Sequence, residues 1–155
     1  MDELELLKEI EDLDKNIKTK ELFTRDLRES DYDILVGWWN KWPGWTSPAR
    51  DFLPKNGVGG LMVEKNGEPI VAGFLYYTND CKVVLLEWIV SNPEYRENDR
   101  QSAIELLITE AEKKSKDSGY KYMFSVGRTK PLIETHRKLG WHVDDKPSHE
   151  ITKII

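Results

Sequence analysis

Residues 61–90 repeat one pattern three times: an apolar run of strand length, then a short polar break. LMVEK is followed by Asn66-Gly67, PIVAGFLYY by Thr78-Asn79-Asp80, and KVVLLEWIV closes the series. Asn-Gly is a strong hairpin signal, because a two-residue turn whose twist matches its strands needs positive φ at both positions. Runs joined this tightly pair as antiparallel neighbours, since a parallel return needs a long crossover. The segment therefore commits the chain to a sheet with a meander at its centre, and the rest of the sequence must cover that sheet.

The flanking segments have helical periods. Ile104, Leu107, Ile108 and Ala111 share one helix face, and Gly119 stands where a C-terminal cap belongs. YKYMFSV follows as a further central strand; reached through a crossover helix, it should run parallel to its neighbour. Pro131 opens another helix and Gly140 closes it. Two short strands are expected at 141–143 and 149–154, where His142 and His149 would face each other. Upstream, 22–27 reads as a short strand, and Ser30-Asp31 starts a helix that places Tyr32, Leu35, Val36 and Trp39 on one face before Pro43 and Gly44 end it. At the N-terminus Leu6, Ile10, Leu13 and Ile17 follow one another at steps of four, three and four, a narrow apolar stripe on a charged helix. Docking on its own domain is the simplest use of that stripe; a homodimer contact or a partner-binding arm is the alternative. The expected fold is α/β, a mixed, mostly antiparallel central sheet flanked by helices on both faces. It divides into a helical extension over 1–18 and a single domain over 19–155.

Size and charge restrict the function. A chain of 155 residues builds one ordinary core. A formal charge of −5 argues against nonspecific binding to duplex nucleic acid. The single cysteine, Cys81, leaves no internal disulfide and no thiolate zinc cluster, and the histidines lack a patterned third ligand, so no metal is expected. No apolar run has membrane-spanning length, and the acidic N-terminus is unlike a signal or transit peptide. A soluble, cytoplasmic protein without membrane contact is the expectation.

The candidate chemistry gathers in LLEWIVSNPEYRENDRQ, residues 85–101, which reads as a buried strand, an arginine-bearing turn and a helix start. The first N–H groups of a helix have no intrahelical partner and favour an anion, which points to a phosphate-bearing cofactor. Glu87 is the one acid in the apolar strand; alternation puts it on the face opposite Leu86 and Trp88, where partial burial would suit a general base. Trp38, Trp42 and Trp45 lie close together near the end of the second helix, an aromatic wall able to stack on an apolar or planar ligand. Arg50 and Lys55 are near enough in sequence to help with a phosphate.

The order of elements, the run E-x-x-V-x-N-P-E-Y-R from Glu87 to Arg96, and H-R-K-L-G-W from His136 to Trp141 together resemble the GCN5-related N-acetyltransferase (GNAT) superfamily over residues 22–155. The Trp-rich segment WWNKWPGWTSPARDFLP also resembles small GNAT-like proteins of bacteriophages. The resemblance implies acetyl-CoA or another acyl-CoA as co-substrate, and a small-molecule or nucleobase amine as acceptor. In the family a loop of pattern Q/R-x-x-G-x-G/A wraps the pyrophosphate. Here it maps onto Arg96, Glu97, Asn98, Asp99, Arg100 and Gln101, with Ser102 next and Val90 on the strand before it. Asp99 and Gln101 stand where the family has glycines, and Thr129 where it commonly has asparagine. Asp99 reads structurally as a helix N-cap. Glu87 matches the family's acid before V-x-P, and His136 its usual tyrosine general acid; Tyr95 and Tyr122 are further proton donors to consider. The loss of both glycines leaves a second reading open, a noncatalytic protein on this fold that binds partners through its Trp-rich loop and N-terminal helix.

Overall fold

The structure, a computed structural model, describes residues 2–155 apart from the side chains of residues 14–21. The chain forms two compact units, one reaching to Ser125 and one running from Val126 to Ile155. In the first, helix α1 (Glu3–Glu21) leads directly into strand β1 (Leu22–Asp26), and α2 (Asp31–Lys41) follows. Two short 3₁₀ turns at Arg50–Phe52 and Pro54–Gly57 precede the meander of β2 (Gly60–Lys65), β3 (Glu68–Tyr77) and β4 (Val83–Ser91). Helix α3 (Arg100–Asp117) then crosses over to β5 (Tyr122–Phe124). The sheet order is β1-β2-β3-β4-β5, antiparallel throughout except for the parallel pair β4 and β5. The β2–β3 turn has φ of 51° at Asn66 and 79° at Gly67, the geometry expected of Asn-Gly.

Each face of the sheet is covered by one helix. On one, Leu35 and Trp39 of α2 pack against Met62, Ala72, Phe74 and Val90. On the other, α3 presents Ala103, Leu107, Ile108 and Ala111, all fully buried. A large apolar side chain removed from water in this way contributes about 1.5–3 kcal/mol. The N-terminus of α2 is tied to the sheet by charge: Arg25 on β1 grips Asp31 with Nη1–Oδ2 at 2.8 Å and Nη2–Oδ1 at 3.0 Å, and donates from Nε to Glu64 Oε2 at 3.0 Å. The Arg28 backbone N–H donates to Asp31 Oδ2 at 2.7 Å. Thus the orientation of α2, and of the tryptophans at its end, is set by a buried ionic group at its start.

Two expectations are corrected here. The stripe on α1 does not dock on its own domain: Leu6, Ile10 and Leu13 remain 50, 54 and 59% exposed, while the side chain of Ile17 lies outside the described residues. In the second unit, α4 (Lys130–Lys138) starts at Pro131 and is followed by Gly140 at φ 91°, as expected. The strands expected at 141–143 and 149–154 do not form, so His142 and His149 are not brought face to face by a hairpin. Ile151, Ile154 and Ile155 are almost wholly exposed. An alternating pattern stabilises a strand only through packing of its apolar face, and these side chains bury nothing.

Candidate active site

The sheet opens where the sequence places its chemistry. β4 continues to Ser91, yet its ladder with β5 spans only Val83–Tyr122, Val84–Met123 and Leu85–Phe124. From Leu86 onward this edge of β4 is released from the sheet, a stretch of about 20 Å at roughly 3.3 Å per residue. Just past that point the strand bulges. Ala72 pairs with Val90 and Phe74 with Glu87, so Gly73 alone faces both Trp88 and Ile89, and Trp88 takes a φ of 58°. A bulky residue in the left-handed region is rare outside strained, purposeful geometry. Gly73 accommodates the bulge: a Cβ there would meet Leu107 at 3.2 Å and Ile89 at 3.3 Å.

The bulge changes which residues share a face. Glu87, 8% exposed, sits opposite Phe74 and therefore on the α2 side of the sheet, away from Leu86 as expected. Trp88, expected on the other face, is turned to the same side. Its ring meets Trp39 at 6.2 Å and Phe52 at 5.8 Å, both edge to face. Simple alternation fails because the extra residue shifts the period by one.

Beyond β4 the chain turns on Asn92, whose backbone N–H donates to Ile70 O at 2.7 Å and whose side chain donates to Pro69 O at 3.1 Å. It also accepts from the Glu94 N–H at 3.0 Å. Asp99 then occupies the cap position of α3, but its side chain does not cap the helix. Tyr95 donates to one carboxylate oxygen at 2.6 Å and Lys65 to the other at 2.8 Å. Burial works to raise the Asp99 pKa, and these two donors override it, holding the carboxyl below its ordinary value. Burial and the Asp99 hydrogen bond push the Tyr95 hydroxyl up to about 12, which removes it from the useful proton donors. The backbone at Asp99 has φ −89° and ψ 6°, which any residue adopts, so replacing the family's glycine costs the loop no conformational freedom that it needs.

Next to Asp99 stands a guanidinium without a counter-anion. Arg100 is partly buried, donates from Nη2 to Ser91 Oγ at 2.6 Å, and lies 5.2 Å from the Trp42 ring. Trp42 is fixed in turn by its Nε1–H donating to Ser91 O at 2.8 Å. Among the described residues Arg100 has no carboxylate partner. Burial and the nearby Arg96 charge both act against its cation and lower its pKa. Arg96, Glu97, Asn98, Gln101 and Ser102 are exposed around the same helix start, whereas Val90 is a core residue that can offer only backbone. Two arginines beside a helix N-terminus, with Asp99 neutralised by Lys65, form a donor set suited to a pyrophosphate. The loop therefore fits a CoA-type group despite its missing glycines.

The other expected residues divide. Trp42 and Trp45 are partly buried at the edge of the core cluster, while Trp38 is 6% exposed within it, and so belongs to packing rather than to an open wall. Arg50 lies over the Tyr32 ring at 4.3 Å. Thr129 is in the second unit, at the cap of α4, and makes no side-chain cap bond. His136, also there, is 5% exposed, packs edge to face with Trp141 at 4.8 Å, and has Nδ1 2.8 Å from Leu132 O. A carbonyl only accepts, so Nδ1 carries a hydrogen, which leaves Nε2 as the ring nitrogen not engaged by Leu132. That nitrogen is buried and without a hydrogen-bond partner. Tyr122 is exposed on β5, opposite Val83 at the paired end of the sheet. His142 bonds Asp144 at 3.0 Å, and no group of three metal-ligating side chains exists among the described residues. No described helix is long and apolar enough to cross a membrane.

The sequence reading missed the Trp88 bulge, the Phe52–Trp88 wall and the Lys65–Asp99–Tyr95 group. A lone glycine inside an apolar strand is a bulge signal, and Gly73 carried it. No pattern linked Lys65 to Asp99, 34 positions later.

No protein-family model matches the sequence, and no curated protein sequence matches it. Solved structures do match, at identities that establish the fold alone. N-acetylglutamate synthase from Neisseria gonorrhoeae, complexed with coenzyme A and N-acetyl-glutamate, is 12% identical with a TM-score of 0.61 over 75% of this chain. The chain spans about a quarter of that synthase, 27% of its length. The aminoglycoside N-acetyltransferase AAC(6')-Iy, bound to the bisubstrate analogue CoA-S-monomethyl-acetylneamine, is 19% identical with a TM-score of 0.58, covering 86% of this chain and 99% of its own. An aminoglycoside acetyltransferase from an uncultured soil metagenomic sample, in complex with sisomicin, is 10% identical with a TM-score of 0.60, covering 88% and 99%. The fold is thus the mixed α/β fold of GNAT acetyltransferases. None of these structures is described as a bacteriophage protein, and the phage resemblance of the Trp-rich segment gains no support from them.

Proposed function

We propose that the protein is an acyl-CoA-dependent N-acyltransferase that moves an acetyl group from acetyl-CoA to an amine by direct attack in a ternary complex. The observation that carries this reading is Arg100, a partly buried cation without a counter-anion at the start of α3, beside a strand edge that β5 has released. Bound acyl-CoA supplies a thioester carbonyl, which the amine attacks to form the amide and release the thiol. Arg96, Arg100 and the first N–H groups of α3 hold the pyrophosphate. Glu87, buried on the α2 face of β4, takes the proton that the amine loses. Thiols with pKa near about 8.5 depart with little acid assistance, so the leaving sulfur takes its proton from solvent.

The acceptor is a planar or aromatic amine, a small molecule or nucleobase, stacked on the wall formed by Phe52 and Trp88 with Trp42 and Trp45 beyond. The named neighbours bind aminoglycosides and N-acetyl-glutamate; aromatic rings around Glu87 suit a flat acceptor better than a polycationic sugar. A cytoplasmic setting suits an acyl-CoA enzyme with one thiol.

Calorimetric titration with acetyl-CoA and CoA tests the first half: saturable binding is expected, and none at millimolar ligand would remove the enzyme reading. Given an acceptor, Glu87→Gln should lower turnover about 10²- to 10⁴-fold while leaving CoA affinity nearly intact. The competing reading, a binding protein on the same fold, draws on Asp99 and Gln101. It loses support because the Asp99 carboxylate is engaged by Lys65 and Tyr95 rather than by α3.

A further inference from the structure

The nineteen-residue helix α1 exposes a strip that a lone helix has no reason to keep. Leu6, Ile10 and Leu13 lie half exposed along one side, with Leu4 and Leu7 more than half exposed beside them. In proteins most of the stability of a helix comes from covering its apolar face. The spacing names the kind of cover. Leu6, Ile10, Leu13 and, in sequence, Ile17 occupy successive d, a, d and a positions of a heptad, with leucine at each d and isoleucine at each a. Apolar residues at successive a and d positions form the seam of a coiled coil, which the same strip on another helix completes.

We infer that α1 pairs with α1 of a second copy of this chain, antiparallel. Charge decides the direction. Residues 2–14 carry seven acids and one lysine, a sum of −6, whereas residues 15–21 carry three lysines and one glutamate, a sum of +2. A parallel pair sets the two acidic halves side by side along their whole length; an antiparallel pair, with Ile10 opposite Leu13, lays residues 2–8 of each copy along the basic end of its partner, leaves only residues 9–14 facing their own equivalents, and places every a position opposite a d. The helix dipole explains acids only in the first turn, where the Asp2 side chain accepts the Glu5 N–H at 2.8 Å. The acidic run continues to Asp14, well past it.

The test uses the whole chain. Sedimentation equilibrium should give a concentration-dependent dimer, and Leu13→Glu should raise its dissociation constant at least about tenfold without lowering the melting temperature of the domain. Replacing Lys15, Lys18 and Lys20 together by glutamate should also weaken it, although no apolar side chain is removed. For orientation, Cys81→Ser chains carrying either Ile10→Cys or Leu13→Cys, one of them tagged, are mixed and oxidised. Disulfides between the two kinds of chain should dominate. A monomer at every concentration, a dimer indifferent to Leu13→Glu, or a preference of Ile10→Cys chains for linking to one another would each overturn the inference.

Discussion

Arg25 on β1 and Arg100 at the start of α3 are both partly withdrawn from solvent, and their surroundings could hardly differ more. Arg25 meets two carboxylates, Asp31 and Glu64, and its pKa rises, chiefly through the Asp31 hydrogen bond. Arg100 meets a serine hydroxyl, an indole face and a second arginine, and its pKa falls, chiefly through burial. The first arrangement is complete within the chain and ties α2 to the sheet. The second is incomplete, with a charge already positioned and its counter-ion left to come from outside. A buried cation lacking an anion is costly to keep for stability alone. The pair of arginines thus separates structural electrostatics from functional electrostatics within one small domain.

Substitution should separate them further. Asp31→Ala leaves the buried Arg25 guanidinium without its main partner and should cost about 3–5 kcal/mol of stability, read by urea denaturation. A loss under about 1 kcal/mol would mean that Arg25 is no better satisfied than Arg100. Arg100→Ala should leave stability almost unchanged, yet weaken CoA binding by about 1.5–3 kcal/mol, the worth of a hydrogen bond to a charged group. If it unfolds the protein and leaves CoA affinity alone, the contrast drawn here is wrong. A smaller gain is expected from Asp99→Asn, which removes a negative charge near the phosphates: CoA affinity should rise about two- to fivefold, more at low salt.

The mildest probe is acid. Burial opposes ionisation of Asp31, but the Arg25 hydrogen bond and the Arg28 N–H outweigh it and hold its pKa below the ordinary carboxylate value. Stability from this group is therefore fully present above pH about 4 and fades as pH falls through the folded value. Thermal melts of the parent and Asp31→Asn chains should converge in that acid range. The guanidinium of Arg100 stays charged throughout and has no such dependence.

Much of this molecule was legible in its sequence. The meander, the Asn66-Gly67 turn, the parallel return through α3 and the glycines after α3 and α4 all rest on local chemistry, where a turn or a period dictates the outcome. What was hidden depends on contacts between distant positions. Asp99 looked like a cap because a carboxylate at that position usually bonds the helix N–H groups; Tyr95 and Lys65 offered it better partners. Trp38 and Trp42 are four residues apart, yet one is core and the other touches Arg100. The terminal isoleucines had the alternation of a strand and no surface on which to bury it. Glu87 and the start of α3 were singled out from the sequence; that Trp88 shares the face of Glu87 required seeing the bulge.

Trp42 holds one further consequence. Its indole is clamped between the Ser91 carbonyl and the Arg100 guanidinium, so any anion drawn to that arginine alters the electric field across the ring. On the proposed reading Trp42 is a built-in optical reporter of anion binding at Arg100. With Trp42→Phe as the blank, the difference in emission would follow ligand arrival in real time, without a label and before any acceptor is known.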